Sequence, residues 1–209
     1  MIVSPFIPFP DITWWAVTDN ADTIMLDTTE HFEKMTSRNR YRIAGANGSI
    51  QLTIPLQQGR DQRAAMKDII IDNKEKWQQR HWRTITSAYR RSPYFEHYEP
   101  ALQLLFTKEY QRLTEYNYAT IEWLSEQLHV NHSMQVTTEY HKKYGAGITD
   151  IRAKKIKLSQ LTFPHYYQLF EDRNGFIPDL SVLDLLFSEG PYTMDWIRAN
   201  KSVILSGNL

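Results

Sequence analysis

Hydrophobic and polar positions along the chain alternate between a period of two and a period near 3.6, and the switches mark the elements. Residues 2–6 form a short apolar run that reads as a strand and leads into a loop with Pro8 and Pro10. Asp11 follows as a helix cap, and Ile12, Trp15 and Ala16 share one helical face. Residues 23–28, TIMLDT, read as a second strand, so the chain opens β-α-β, a unit that winds right-handed onto a parallel sheet.

Period two then dominates. Residues 38–43 read as a strand, 44–48 as a tight turn, and 49–56 as a strand with Ile50, Leu52 and Ile54 on one face. Asn47-Gly48 supplies the positive φ angles that such a turn needs. This spacing predicts Arg38, Arg40 and Arg42 on one face of the strand and Asn39, Tyr41 and Ile43 on the other.

The polar stretch 57–67 contains Gly59 and reads as a mobile loop, and DIIID at 68–72 as a buried strand. Asp72 with Glu75 makes a capping-box pattern ahead of a helix that runs to about Arg91, striped by Trp77, Trp82, Ile85 and Tyr89. Arg80, Arg83, Arg90 and Arg91 lie away from that stripe. Ser92-Pro93 starts further helix that continues to His129, in pieces broken near Pro100 and Thr107. Residues 133–140 read as a strand, 144–157 as a basic loop and 162–170 as an alternating strand. Residues 181–187 read as a short buried helix, capped by Ser181 and stopped by Gly190-Pro191. The expected fold is α/β: one domain over 1–209 with a Rossmann-like, parallel or mixed central sheet, flanking helices and a helical region at 73–130.

Composition narrows the function classes. Twenty-four Lys and Arg balance 24 Asp and Glu, which argues against a general nucleic-acid binder. No cysteine is present, so disulfides, thiolate metal sites and cysteine nucleophiles are excluded, and a cytoplasmic location is expected. No apolar run reaches the roughly 20 residues that span a bilayer, and the first residues lack the basic region and cleavage site of a secretory signal.

Candidate chemistry centres on anion binding. Guanidinium groups clasp phosphate or carboxylate bidentately, so Arg38, Arg40 and Arg42 on one strand face form an anion site. The plainer reading has them solvated and paired to Asp27, Glu30 or Glu33. His81 is the candidate general base, or else a hydrogen-bonded core histidine. Arg83 joins the anion site, and Tyr89, Tyr94, Tyr166 and Gln168 are candidate pocket residues. Ser181 and Asp184 read as helix caps. His129, His132, His141 and His165 read as surface residues, and 145–147, GAG, is neither a Walker nor a dinucleotide motif, so no metal or cofactor is expected.

Three motifs, SRNRYRIAGANG at 37–48, HWRTITSAYRRSPYFEHY at 81–98 and FIPDLSVLDLLFSEGP at 176–191, resemble the WbqC-like protein family of bacteria in order and spacing over about residues 1–192. Many members carry a Gln-Pro-x-Tyr-x-Pro-like segment after the first strand, where this chain keeps the prolines of PFIPFP at 5–10 without the glutamine. The resemblance implies a role in O-antigen-type surface-polysaccharide (lipopolysaccharide) synthesis, with acyl or aminoacyl (glycine) transfer to a sugar as the reaction. It also implies an anionic small-molecule partner, such as a nucleotide sugar or acyl donor, and association with other enzymes of polysaccharide synthesis. Two other readings stand beside it: a non-catalytic binding protein of that pathway, and nucleotidyl transfer, for which the chain lacks the His-x-Gly-His signature.

Overall fold

A computed structural model describes residues 1–57, 64–152 and 163–206. The β-α-β opening forms as its pattern requires. Strand β1 (Ile2–Pro5) leads through the Pro-rich loop into helix α1 (Ile12–Thr18), capped by the Asp11 carboxylate on the Trp14 amide at 2.8 Å, and β2 (Thr23–Asp27) pairs parallel with β1. Hairpin strands β3 (Arg40–Gly45) and β4 (Gly48–Thr53) stand apart as a separate antiparallel pair. Helices α2 (Trp77–Tyr89), α3 (Phe95–Thr107) and α4 (Leu113–Gln127) follow, then β5 (Ser133–Val136) and β6 (Thr149–Asp150). The C-terminal part holds α5 (Glu171–Asn174), α6 (Val182–Glu189) and α7 (Thr193–Ser206).

The central sheet has four parallel strands in the order β5-β2-β1-β6, with helices around it. Val3, Ile24 and Leu26 are fully buried, so the middle strands are covered on both faces, as parallel sheets require. One continuous apolar cluster joins the sheet, α1, the hairpin and helices α2, α3, α4, α6 and α7.

Several local expectations need correction. Arg38 and Asn39 lie in a 3-10 turn, Ser37–Asn39, and the strand begins only at Arg40. The hairpin turn takes its positive φ from Gly48 alone (φ 110°), while Asn47 stays in the ordinary region, the pattern of a type I turn closed by a bulge glycine. Residues 68–72 form isolated bridges through Ile70 and Ile71 rather than a strand. The helix expected from residue 73 starts at Trp77, and the Asp72 carboxylate accepts instead from the Lys74 amide. Pro100 sits inside α3 at its sixth position without ending it, so the helix runs on through Thr107 with the Pro100-to-Glu96 bond forgone. Residues 163–168 form no ladder, yet Tyr166 and Gln168 are buried while His165 and Tyr167 are exposed. The mobile loop expected at 57–67 falls mostly on residues 58–63, and the basic loop at 144–157 partly on 153–157, all outside the described residues. Helix α7 and strand β6 go beyond the elements read from sequence.

Candidate functional site

The Pro-rich loop leaves β1 at its carboxyl end, where ligands of open parallel sheets bind. Prolines remove amide donors from this loop, and α4 satisfies part of what remains. Buried Asn117 donates to the Phe6 carbonyl at 2.8 Å and to the Arg38 carbonyl at 2.9 Å. One helical turn on, Thr120 Oγ1 accepts from the Phe9 amide at 3.1 Å. The loop and the start of the hairpin are thereby tied to one face of α4.

A second set of bonds brings in the segment before α6. The Ser181 amide donates to the Arg42 carbonyl (2.8 Å), the Val182 amide to the Pro10 carbonyl (3.0 Å) and the Ile12 amide to the Leu180 carbonyl (3.1 Å). Arg42 Nη2 reaches the Asp179 carbonyl at 2.9 Å, and the Asp179 carboxylate accepts from the Thr13 amide at 3.0 Å. These bonds enclose a pocket of about 180 Å³ whose polar lining includes Asp11, Arg40, Arg42, Gln51, Asp179 and Ser181.

Backbone strain concentrates here. Among the described residues four non-glycine residues have positive φ, and three of them, Phe9 (41°), Met35 (60°) and Asp179 (52°), line this pocket. Such conformations cost about 1–3 kcal/mol each and persist where the surroundings enforce them, which is characteristic of functional sites.

The charges are unusual as well. Arg40 Nε is buried with no hydrogen-bond partner among the described residues. Burial pushes the Asp11 carboxyl well above the usual carboxylate range, and the Asp179 charge pushes it further, against the Trp14 amide and Arg42. Burial likewise raises Asp179, opposed by its bond to the Thr13 amide and by Arg42. Two mutually repelling carboxyl groups beside two guanidinium groups can clasp an anion and hold or accept a proton in one small space.

The pocket therefore gathers Arg40 and Arg42 but not the other sequence-predicted residues. Arg38 is turned away into a buried, bidentate pair with Glu30, at 2.8 Å from Nε and 2.6 Å from Nη2, with Glu33 at 3.7 Å. His81 is buried with both ring nitrogens engaged: Nδ1 meets the Tyr41 hydroxyl at 3.0 Å and Nε2 the Thr53 carbonyl at 3.2 Å. Burial lowers its pKa to about 4. His81 thus clamps both hairpin strands to α2. Asn39 fastens the end of the hairpin by donating to the Ile54 carbonyl at 2.9 Å.

Tyr89, Tyr166 and Gln168 do meet one another, around Asp184. Both hydroxyls donate to its carboxylate at 2.7 Å, Gln168 Nε2 donates at 2.9 Å, and the Tyr89 oxygen accepts from the Ala44 amide at 2.9 Å. Ser181 caps α6 through the Leu183 amide, whereas Asp184, expected as its capping partner, instead collects this buried network. Burial raises the Asp184 carboxyl above its ordinary range. Tyr94 packs beside Gly190, whose positive φ of 57° and lack of a Cβ let the ring approach. Arg83 lies on the outer face of α2, in a separate groove.

From sequence Asp11 is only a cap, and Asp179 only one residue of the motif at 176–191. Their meeting depends on contacts between residues more than 160 positions apart, which no local pattern carries. Among the described residues no group of three or more ligating side chains converges on a metal position, and no helix is long and apolar enough to cross a membrane. The segment that supplies Asp179 and Ser181 includes the third of the quoted motifs. No curated protein and no solved structure matches the chain. A sequence model of the WbqC-like family matches residues 5–157, which carry the Pro-rich loop, both pocket arginines and α2, so the chain belongs to the WbqC-like protein family.

Proposed function

We propose that the protein is a transferase of bacterial surface-polysaccharide synthesis that moves an acyl or aminoacyl group onto a sugar, with the strained pocket as its site. The observation that carries this reading is the enclosure of Arg40, Arg42, Asp11 and Asp179 in about 180 Å³. That volume is below the roughly 300–1,000 Å³ of pockets for drug-sized ligands, which suits a small anionic or acyl unit rather than a whole nucleotide. Arg40 and Arg42 hold the anionic end of the donor. An acceptor amine or hydroxyl attacks the acyl carbon, its proton passes to the ionised member of the Asp11–Asp179 pair, and the leaving group departs with the bonding electrons. A cytoplasmic location accords with this role, because activated donors are made there.

Mass spectrometry of donor and acceptor mixtures tests the reading. Product formed by the wild type and lost in Arg40→Ala, with the variant folded, supports it; equal turnover in both removes the site.

A second reading is a binding protein of the same pathway. It is favoured by the engagement of both His81 nitrogens inside the protein, which leaves the pocket without a histidine base. Saturable binding without product across the same mixtures distinguishes it.

A further inference from the structure

A groove of about 750 Å³ runs between the outer face of α2 and the turn at 169–173, and it shares no lining residue with the strained pocket. Arg83 on α2, with Arg90 at its C-cap and Arg91 just beyond, faces Arg173 across it, and its lining contains no acidic residue. None of these four guanidinium groups forms an ion pair among the described residues, whereas neighbouring Arg80 is paired to Glu75 at 2.6 Å. Arg83 and Arg90 are seven positions apart, two helical turns and about 10 Å along one face. The opposite wall is fixed, because Asn174 next to Arg173 donates to the Gly45 carbonyl at 2.8 Å. Trp82 and Phe170 give the groove aromatic surface, and Thr86 Oγ1 beside it is buried without a hydrogen-bond partner.

Four unpaired like charges around one concavity repel one another, and an anion that enters relieves that repulsion. The chain carries no net charge, so this excess is local and calls for a compact anion rather than a nucleic-acid chain. We infer that the groove binds a small molecule bearing a diphosphate, whose oxygens span the arginines and whose flat or apolar substituent lies against Trp82 and Phe170. Planar guanidinium forks suit the oxygens of adjacent phosphates, and the volume suits a ligand of nucleotide size. This inference is independent of the transferase reading, since the strained pocket could fail as an active site while the groove still binds.

Calorimetric titration of the full chain at near-physiological salt tests it, with uridine diphosphate, inorganic pyrophosphate, geranyl diphosphate and uridine as the four titrants. At least one diphosphate binds saturably and uridine does not. The Arg90→Ser/Arg91→Ser double variant and, separately, Arg173→Glu weaken that binding about tenfold or more, because each removes charge-assisted hydrogen bonds. Arg40→Ala leaves it within about twofold, as expected for a distant site. Tightest binding of the nucleotide assigns the substituent as a base, tightest binding of the geranyl compound as a lipid chain, and equal binding of all three shows that the phosphates suffice. Absence of binding by all three diphosphates, binding of uridine equal to that of uridine diphosphate, or binding unaffected by both groove variants overturns the inference.

Discussion

Arg42 on β3 donates a 2.9 Å hydrogen bond to the backbone carbonyl of Asp179, a residue 137 positions further along the chain. This bond holds Asp179 at a φ of 52° against the Pro-rich loop, so one guanidinium both lines the pocket and fixes its opposite wall. The same contact places the Asp179 carboxyl near Asp11, where its charge adds to burial in disfavouring ionisation of Asp11.

Such a pair trades stability for chemistry. Asp179→Asn keeps an acceptor for the Thr13 amide and tolerates the left-handed backbone, yet removes one of two repelling charges. Its unfolding free energy at neutral pH should equal the wild-type value or exceed it by up to about 1 kcal/mol, while turnover or ligand binding falls at least tenfold. Chemical denaturation and activity measured on the same preparation check this. A variant that loses stability and keeps function contradicts the trade.

The Arg38 guanidinium is spent on the fold. Arg38→Ala strands the buried Glu30 carboxylate and should cost about 3–5 kcal/mol, and the double change Arg38→Met with Glu30→Leu should recover most of it. Urea unfolding of the three proteins measures the difference. A loss below about 1 kcal/mol would identify an ordinary exposed pair.

His81 predicts a pH dependence of defined sign. Its folded pKa of about 4 lies below the ordinary 6.5, so the unfolded chain binds the extra proton between those values. Its contribution is present in full above pH 6.5 and is lost as pH falls towards 4, by on the order of 3 kcal/mol. The raised carboxyls of Glu30 and Asp184 act in the opposite direction, losing stability as pH rises through their folded pKa, so the difference between wild type and His81→Gln isolates the histidine. Stability curves from pH 4 to 7 should converge at the acid end and diverge towards neutrality; parallel curves would show that His81 titrates normally.

Tyr89 joins three elements through one oxygen, accepting from Ala44 on β3 and donating to Asp184 on α6. Tyr89→Phe leaves the Ala44 amide and part of the Asp184 carboxylate unsatisfied and should cost about 1–3 kcal/mol. Hydrogen exchange at the Ala44 amide should accelerate while pocket binding survives. Unchanged exchange at Ala44 would place the cost elsewhere.

What the sequence made legible follows the range of the forces involved. The β-α-β opening rests on short-range pattern and a local cap, and the parallel sheet came with it. The face of Arg40 and Arg42 followed from strand alternation, but Arg38 did not, because the turn at Ser37–Asn39 resets the phase one residue before β3. Tyr166 and Gln168 kept an alternating burial without a strand, since a buried carboxylate rather than a partner strand organises them. Asn117 and Thr120 are polar residues facing the core of α4, and only the carbonyl and amide of the distant Pro-rich loop explain them. The pocket itself was half legible: its arginines were chosen from sequence, while Asp11 and Asp179 acquire their chemistry only by meeting.

The central claim is that Arg40 and its neighbours bind an anionic donor. Its most direct test is ligand-dependent thermal unfolding of the wild type and Arg40→Ala with coenzyme A thioesters, nucleotide sugars, ATP and glycine. A ligand at 100 times its dissociation constant adds about 2.7 kcal/mol, a rise of about 5–10 °C for a chain of this size. The account predicts such a rise with an acyl or aminoacyl donor in the wild type and its loss in Arg40→Ala, whose unliganded melting stays close to wild type. A rise of equal size in both proteins, or none with any ligand, would contradict it.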